Sequence, residues 1–329
     1  MRAVVLDQYG GPEVLRIREI PDPQPGAGEV RVRVAATAVN RADVLQRQGR
    51  YPPPEPRPEH EVPGLEFAGT VDAVGPGVTA WRPGDRVMGL LAGGGYAEQV
   101  VTHERMLLRV PDRLSFEEAA AIPEVFFTAY DALTDKAGLR MGDVVLVHAG
   151  GSGVGTAAIQ LARAMGATVL VTAGSDEKAR RAVELGAHRA INYKTEAFDE
   201  VVLRETGGRG ADVILDFVGA SYLERNLKAA AVEGRIVFIG TMGGARGEFD
   251  IGLAMRKRLR LAGTTLRARP VEQKMVLTQR FARQVLPLFE SGQVRPVVDR
   301  VFPLDEVAAA HRYMEENRNF GKIVLRVGT

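Results

Sequence analysis

At 329 residues the chain exceeds the size at which a single core stops growing, so two domains are expected, and its 45% hydrophobic and 26% charged residues are those of an ordinary globular protein. No apolar run approaches the roughly 18 residues of a membrane span, and the opening MRAVVLDQYGG turns polar too soon for a secretory signal, so no membrane partner and a cytoplasmic location are expected. Forty-three Lys plus Arg against 41 Asp plus Glu leave a net charge of +2, which argues against a nucleic-acid partner, and zero Cys excludes disulfides, thiolate nucleophiles and thiolate-held metals.

From residue 1 to about 125 the sequence predicts strands: AVVLD, LRIREI, EVRVRVAATAV, EFAGTVDAVG, DRVMGLL and GYAEQVV. Val30, Val32 and Val34 alternate with Arg31 and Arg33, the period-2 pattern of a strand with one wet face. YPPPEPRP at 51–58 lacks the amide hydrogens a central strand or helix needs and reads as a surface loop. After 125 strands alternate with helices: VVLVHA then a helix over 154–165, TVLVTA then 176–185, HRAINY then 196–206, DVILDFV then 221–231, followed by RIVFIG and LRLAGTTL. Such alternation implies right-handed crossovers and a parallel sheet covered on both faces, a doubly wound nucleotide-binding domain. A helix around 272–290, the strand VDRVFPL, the helix DEVAAAHRYMEEN and the strand KIVLRV look like material returning to the first domain. The basic run RKRLR at 256–260 reads as a solvated face or strand edge.

Between VVLVHA and the next helix stands GGSGVG. A strand, a glycine turn and a helix N-terminus make an anion site, because orphan amides and the helix dipole converge there. Gly150, Ser152 and Gly155 occupy the three places of the G-x-G-x-x-G dinucleotide fingerprint, with Ser in the middle. NAD enzymes carry an acidic residue at the end of the second strand; here Ala173, Gly174 and Ser175 stand there, ahead of Asp176, Glu177 and Lys178. Ser175 and Lys178 can donate to a 2′-phosphate, so NADPH is expected over NADH. The plainer alternative is that Ser175 is an N-cap and Lys178 a solvated helix residue. Histidines at 60, 103, 148, 188 and 311 show no paired metal-ligand spacing; His60, beside Glu61, reads as ordinary surface.

End to end, the chain resembles the zinc-independent quinone oxidoreductases of the medium-chain dehydrogenase/reductase superfamily, in particular the p53-inducible, zeta-crystallin-like type. The resemblance rests on NRADVLQRQGRY at 40–51, PGLEFAGTV at 63–71, RPGDRVMGLL at 82–91, AAAIPEVFFTAYDAL at 119–133, HAGGSGVGTAAIQLA at 148–162 and MEENRNFGKIVL at 314–325. It implies an α/β fold: a GroES-like β-rich catalytic domain at 1–125, a Rossmann NADP(H)-binding domain with a doubly wound parallel sheet at 126–266, and a C-terminal return to the catalytic domain at 267–329. A homodimer, or a dimer of dimers, joined through the cofactor domain is also implied. In zinc-dependent members a Cys and a His hold the catalytic metal, and Asn40 and Leu65 stand at those places here, so no metal is expected.

The resemblance assigns Asn40, Asp43 and Tyr51 to the nicotinamide end of the site. Asn40 would orient substrate or carboxamide. Tyr51 would donate to the reduced oxygen or else pack as a lid, and Asp43 reads as a structural acceptor more than a general acid. It carries cofactor binding to Asn40, Tyr51, Thr128, Ser152, Gly153, Val154, Gly155, Ser175, Lys178, Tyr193, Met242, Thr265, Leu266 and Asn319, with Gly174 beside Ser175 at the strand end. Ser152 touches the nicotinamide or simply caps the helix. A quinone or enone is already an electrophile, so hydride delivery from NADPH needs only modest hydrogen-bond donors and no Lewis acid. Quinone reduction, by hydride or by single electrons, is therefore the expected activity. An enone, alkenal or enoyl-thioester reductase, for which Arg41, Arg47, Arg50 and Arg57 could meet thioester phosphates, is the rival within enzymes. A non-catalytic NADPH-binding protein with an RNA-binding or sensing role is the rival outside them.

Overall fold

The computed structural model describes residues 1–51, 53, 55 and 58–328. Much of the proline-rich loop expected at 51–58, with Arg57, lies outside the described residues. The chain divides into two compact units, one of residues 1–127 and 266–329, the other of residues 128–265.

In the first unit β1 (Arg2–Val5) pairs antiparallel with β2 (Arg16–Glu19) as a separate two-stranded sheet. The long β3 (Glu29–Val39) buries Val30, Val32 and Val34 while Arg31 and Arg33 stay outside the core, so one face meets apolar neighbours and the other meets water. Asn40 then caps the short helix α1 (Arg41–Arg47), where the Asp43 carboxylate reaches back to accept the Asn40 N–H at 2.7 Å. β4 (Glu66–Val74), β5 (Arg86–Leu90), β6 (Gln99–His103) and β7 (Leu107–Arg109) follow, then α2 (Phe116–Ala120) and α3 (Pro123–Asp131). A capping box at Ser115 and Glu118 starts α2, and Pro123 starts α3 where a missing amide hydrogen costs nothing.

The second unit alternates β8 (Val144–Val147), α4 (Gly153–Ala164), β9 (Thr168–Ala173), α5 (Asp176–Leu185), β10 (Arg189–Asn192), α6 (Phe198–Glu205), β11 (Ala211–Asp216), α7 (Leu223–Ala229), β12 (Ala230–Phe238), α8 (Ile251–Lys257) and β13 (Arg260–Gly263). The six strands are all parallel in the order β10-β9-β8-β11-β12-β13. That order reverses between β8 and β11, and in doubly wound sheets ligands bind beyond the carboxyl ends of the strands at such a reversal. The helix expected over 221–231 ends at Ala229, because Ala230 is recruited into β12 beside Ala211 of β11. Alanine is the best helix former, but propensity is a weak force beside tertiary context, and strand pairing overrides it here. The pattern gave no notice of α8, a helix of seven residues with none fully buried.

The chain returns to the first unit through α9 (Val271–Gln284) and α10 (Leu286–Ser291), two helices where one was expected over 272–290. Pro287 near the start of α10 cannot continue a helical ladder, so the run breaks at Val285. β14 (Val298–Pro303), α11 (Val307–Glu315) and β15 (Lys322–Arg326) follow. β15 pairs antiparallel with β3 and parallel with β14, giving a sheet ordered β14-β15-β3-β4-β5-β7, with β6 also on β3.

Where β15, β3 and β4 meet, an ion pair is enclosed. The Lys322 Nζ donates to Glu66 Oε1 at 2.7 Å, to Asn40 Oδ1 at 2.6 Å and to the Val39 carbonyl at 3.1 Å. Lys322 is 2% exposed and Glu66 is fully buried. Three short donor contacts satisfy all the hydrogens of the ammonium, the condition under which a buried pair is tolerable. Removing one partner strands the other: Lys322→Met is expected to cost on the order of 3–5 kcal/mol, read as a fall in the urea midpoint. A variant as stable as the parent would show that the pair does not hold these strands.

Candidate active site

In the first unit the three residues assigned to chemistry have unequal surroundings. Asn40 is 7% exposed and its carboxamide is fully engaged inside the protein: Oδ1 accepts from Lys322, while Nδ2 donates to Glu66 Oε1 at 2.8 Å and more weakly to the Ala38 carbonyl at 3.4 Å. Asp43 is fully buried, its Oδ1 accepting the Gly64 N–H at 3.1 Å and its Oδ2 the Asn40 N–H and the Tyr96 hydroxyl, the latter at 3.1 Å. Loss of hydration pushes Asp43 up to about 6, against these donors and the Lys322 charge. This is the geometry of an acceptor that organises the start of α1. The Tyr96 hydroxyl also meets His311 Nε2 at 3.2 Å, and burial drives that imidazole down to about 3, so it is neutral.

Tyr51 is held differently. The Arg267 guanidinium lies 5.1 Å from the centroid of its ring and donates to the Tyr51 carbonyl at 3.0 Å, to the Ala92 carbonyl at 2.7 Å and to Gln46 Oε1 at 2.8 Å. Gln46 in turn donates to Glu61 Oε1 at 2.8 Å, which fixes the orientation of its amide. Arg267 is 5% exposed. No spacing rule singles it out in TTLRARP, so sequence reasoning missed it. Burial and the charge of Glu124 raise the phenol of Tyr51 against the opposing pull of Arg267, and it keeps its proton through the neutral range as a donor must. Gln46, Arg267, Val62, Leu91 and Val100, with the exposed His60, line a cavity of about 410 Å³, a size suited to a small organic molecule.

In the second unit the glycine turn lies between β8 and α4. Ser152 caps α4, its Oγ accepting the Gly155 N–H at 2.9 Å, which leaves its O–H as a donor. The amides of Gly153 and Val154, in the first turn of α4, have no partner within the helix and are available to an anion. A side chain at Gly155 would place its Cβ 2.3 Å from the Ala149 carbonyl oxygen, so helix and turn approach as closely as backbone allows. Ser175 caps α5, with its Oγ accepting the Lys178 N–H at 3.3 Å. Asp176, the first carboxylate beyond β9, accepts from Asn192 Nδ2 at 2.7 Å and is thereby tied to the end of β10. The Tyr193 hydroxyl would lie 2.8 Å from a Cβ on Gly174, so glycine there makes room for a ring that is 41% exposed.

The remaining cofactor candidates divide between the units. Thr128 (7% exposed), the exposed Met242 and the exposed Thr265 belong to the second unit; buried Leu266 and half-buried Asn319 belong to the first, where Asn319 donates to the Gly321 carbonyl at 2.7 Å. Of the basic run, Lys257 donates to the carbonyls of Leu227, Lys228 and Ala230 at 3.0, 2.7 and 2.6 Å, closing the end of α7, and Arg258 pairs with Glu233 at 3.4 Å. Arg256 and Lys257 end α8 and Arg260 opens the edge strand β13, so the run is no separate polyanion stripe.

Glu124, in the first turn of α3, is half-buried; lost hydration first, then the neighbouring Glu66 carboxylate, push it up to about 8. The folded protein thus favours the protonated form. Its ionisation penalty is absent below the ordinary value of 4.5, builds as pH rises from 4.5 towards 8, and is complete above. Glu124→Gln removes the penalty, so the variant's urea midpoint should gain on the parent's across that window and then run parallel to it. A pH-independent gap would show that Glu124 ionises normally.

Comparison with known proteins agrees with this layout. The family described as "Alcohol dehydrogenase GroES-like domain" matches residues 26–112 and that described as "Zinc-binding dehydrogenase" matches residues 153–282. The chain is 35% identical to a quinone oxidoreductase of Lama guanicoe over 328 residues, 99% of this chain and 97% of that protein. Among solved structures it resembles one described as an NAD-dependent alcohol dehydrogenase, with a TM-score of 0.90 and 42% identity over the whole of both chains. It also resembles a mycobacterial protein complexed with NADPH, with a TM-score of 0.89 and 32% identity over 99% of this chain and 100% of the other. The residues at the expected zinc ligand places do not suit that metal: Leu65 offers no donor atom, Asn40 is already held by an ammonium, and no group of three or more His, Asp or Glu among the described residues could hold an ion. Both units, the glycine turn and the full-length likeness place this chain in the medium-chain dehydrogenase/reductase superfamily, as an oxidoreductase related to the quinone oxidoreductases.

Proposed function

We propose that the protein is an NADPH-dependent quinone reductase that uses no metal. The observation that carries this reading is the Lys322 ammonium seated against Asn40 and Glu66, beside the place where zinc-dependent members of the superfamily polarise an alcohol. A cation buried among engaged partners offers no open coordination position to a substrate oxygen, so the acceptor must be electrophilic without help. When bound, NADPH would supply the hydride. The amides of Gly153 and Val154 would take the pyrophosphate, Ser175 and Lys178 the 2′-phosphate, and Tyr193 would flank the nucleotide beside Gly174. Tyr51, held by Arg267, would donate to the reduced oxygen, and Asn40 and Asp43 would fix the backbone from which α1 starts.

The coenzyme preference rests on the end of β9. Its nearest carboxylate, Asp176, is tied to Asn192, which supports discrimination by Ser175 and Lys178 in favour of a 2′-phosphate. A charge-assisted hydrogen bond is worth about 1.5–3 kcal/mol, so kcat/KM with NADPH should exceed that with NADH by roughly 10- to 100-fold, and Lys178→Ala should erase most of the difference. The assay takes an ortho-quinone, a simple enal and a crotonyl thioester as acceptors, with the quinone expected to turn over best. Equal efficiency with both coenzymes, unmoved in Lys178→Ala, would discard the NADPH assignment; preference for the thioester would move the chain to the enoyl reductases.

We also propose a homodimer built on the second unit. β13 is an edge strand, and near it in sequence Ile251, Met255 and Leu261 are 64%, 72% and 40% exposed, an apolar surface that a second copy of the same edge would cover. Light scattering after size-exclusion chromatography should report a dimer for the parent and a monomer for Leu261→Lys. A monomeric parent would end the proposal.

A further inference from the structure

Beneath the glycine turn runs a buried hydrogen-bond chain whose polarity is fixed from one end to the other. The Asp216 carboxylate accepts the backbone amides of Val218 and Gly219 on Oδ1, at 2.7 and 3.0 Å, and Asn226 Nδ2 on Oδ2 at 3.0 Å. The Asn226 amide therefore turns its oxygen to His148 Nε2, 2.7 Å away, so that nitrogen carries the ring proton. His148 Nδ1 is left with a bare lone pair and accepts the Thr172 hydroxyl at 3.1 Å, while Thr172 Oγ1 accepts the Ala149 N–H at 3.3 Å. His148, Thr172, Asn226 and Asp216 are all at most 1% exposed. Phe198 and Tyr222 meet the imidazole edge-on at 4.8 and 4.9 Å. Burial drives His148 down to about 4, which agrees with a neutral ring.

The end of the chain lies in the turn itself. Ala149 has a φ of +49°, a left-handed conformation that a residue with a Cβ rarely adopts. Thr172 grips this bend twice, through Oγ1 on the Ala149 N–H and through its carbonyl on the Gly150 N–H at 2.8 Å. The Ala149 carbonyl is the surface against which Gly155 packs, so the bend sets where α4 begins and where its first amides point.

We propose that His148 is a positioning residue for the dinucleotide: held as the Nε2–H tautomer, it locks the Ala149–Gly150 bend and so presets the amides of Gly153 and Val154 for a pyrophosphate. This rests on the nucleotide-binding reading given above. The test is NADPH titration, followed by nicotinamide fluorescence, of the parent and of Thr172→Val, His148→Phe and Thr172→Ser, each at a temperature well below its melting transition. Thr172→Val and His148→Phe should raise the Kd about 10-fold or more, and Thr172→Ser, which keeps the hydroxyl, should return it to near the parent value. The KM for NADPH should rise more than the KM for quinone, a split that a general loss of packing does not produce. Folded Thr172→Val with the parent's Kd would overturn the proposal, as would a ¹⁵N spectrum showing His148 as the Nδ1–H tautomer or as imidazolium at neutral pH. A parent that binds neither NADPH nor NADH would instead defeat the nucleotide reading on which it rests.

Discussion

A single ammonium group governs the first unit. Lys322 comes from the last strand, Asn40 from the end of β3 and Glu66 from the start of β4, and the charge on Nζ makes the burial of the Glu66 carboxylate tolerable. Glu66 also accepts the Glu124 N–H through Oε2 at 2.8 Å, so the start of α3 is referred to the same point. Asn40 is fixed on both sides of its amide and fixes Asp43, which in turn holds Gly64 and Tyr96. A cation, two carboxylates and an amide thus define one geometry for several segments of the unit at once.

The second unit solves a comparable problem with one carboxylate and, among the described residues, no buried cation. The chain from Asp216 to Ala149 draws members from β11, α7, β9 and the turn after β8, so the carboxyl ends of adjacent strands and the base of the glycine turn share one hydrogen-bonding pattern. Both arrangements are costly to leave half made, because any one deletion orphans a partner that water cannot reach. Both also place rigidity directly behind the groups proposed to meet the ligand.

Local features were legible in the sequence. Alternation in β3, the strand–helix texture from β8 onward and the glycine turn are readable because each is decided within a few residues by side-chain period or by the need for bare backbone. Ser152 and Ser175 are readable as caps, and each Oγ does accept an amide of its helix, while the O–H of each stays a donor for the second role the sequence suggests. What the pattern could not supply was partnership across distance. Lys322 lies 282 residues from Asn40, and Arg267 lies 216 from Tyr51; nothing in either neighbourhood marks the pairing. The early start of β12 escaped because the alanines there favour a helix and pairing with β11 overrides that preference.

The second unit is spliced into the first, and the splice imposes an order on synthesis. By residue 263 every strand of the parallel sheet has been made, whereas the sheet built on β3 still lacks both of its C-terminal strands. A ribosome therefore releases the inserted unit complete while Glu66 waits some 250 residues for its counter-ion, 256 positions downstream. Until Lys322 has been made, the amino-terminal half has a carboxylate without its counter-ion, so completion of that unit waits on residues encoded beyond the whole inserted sheet.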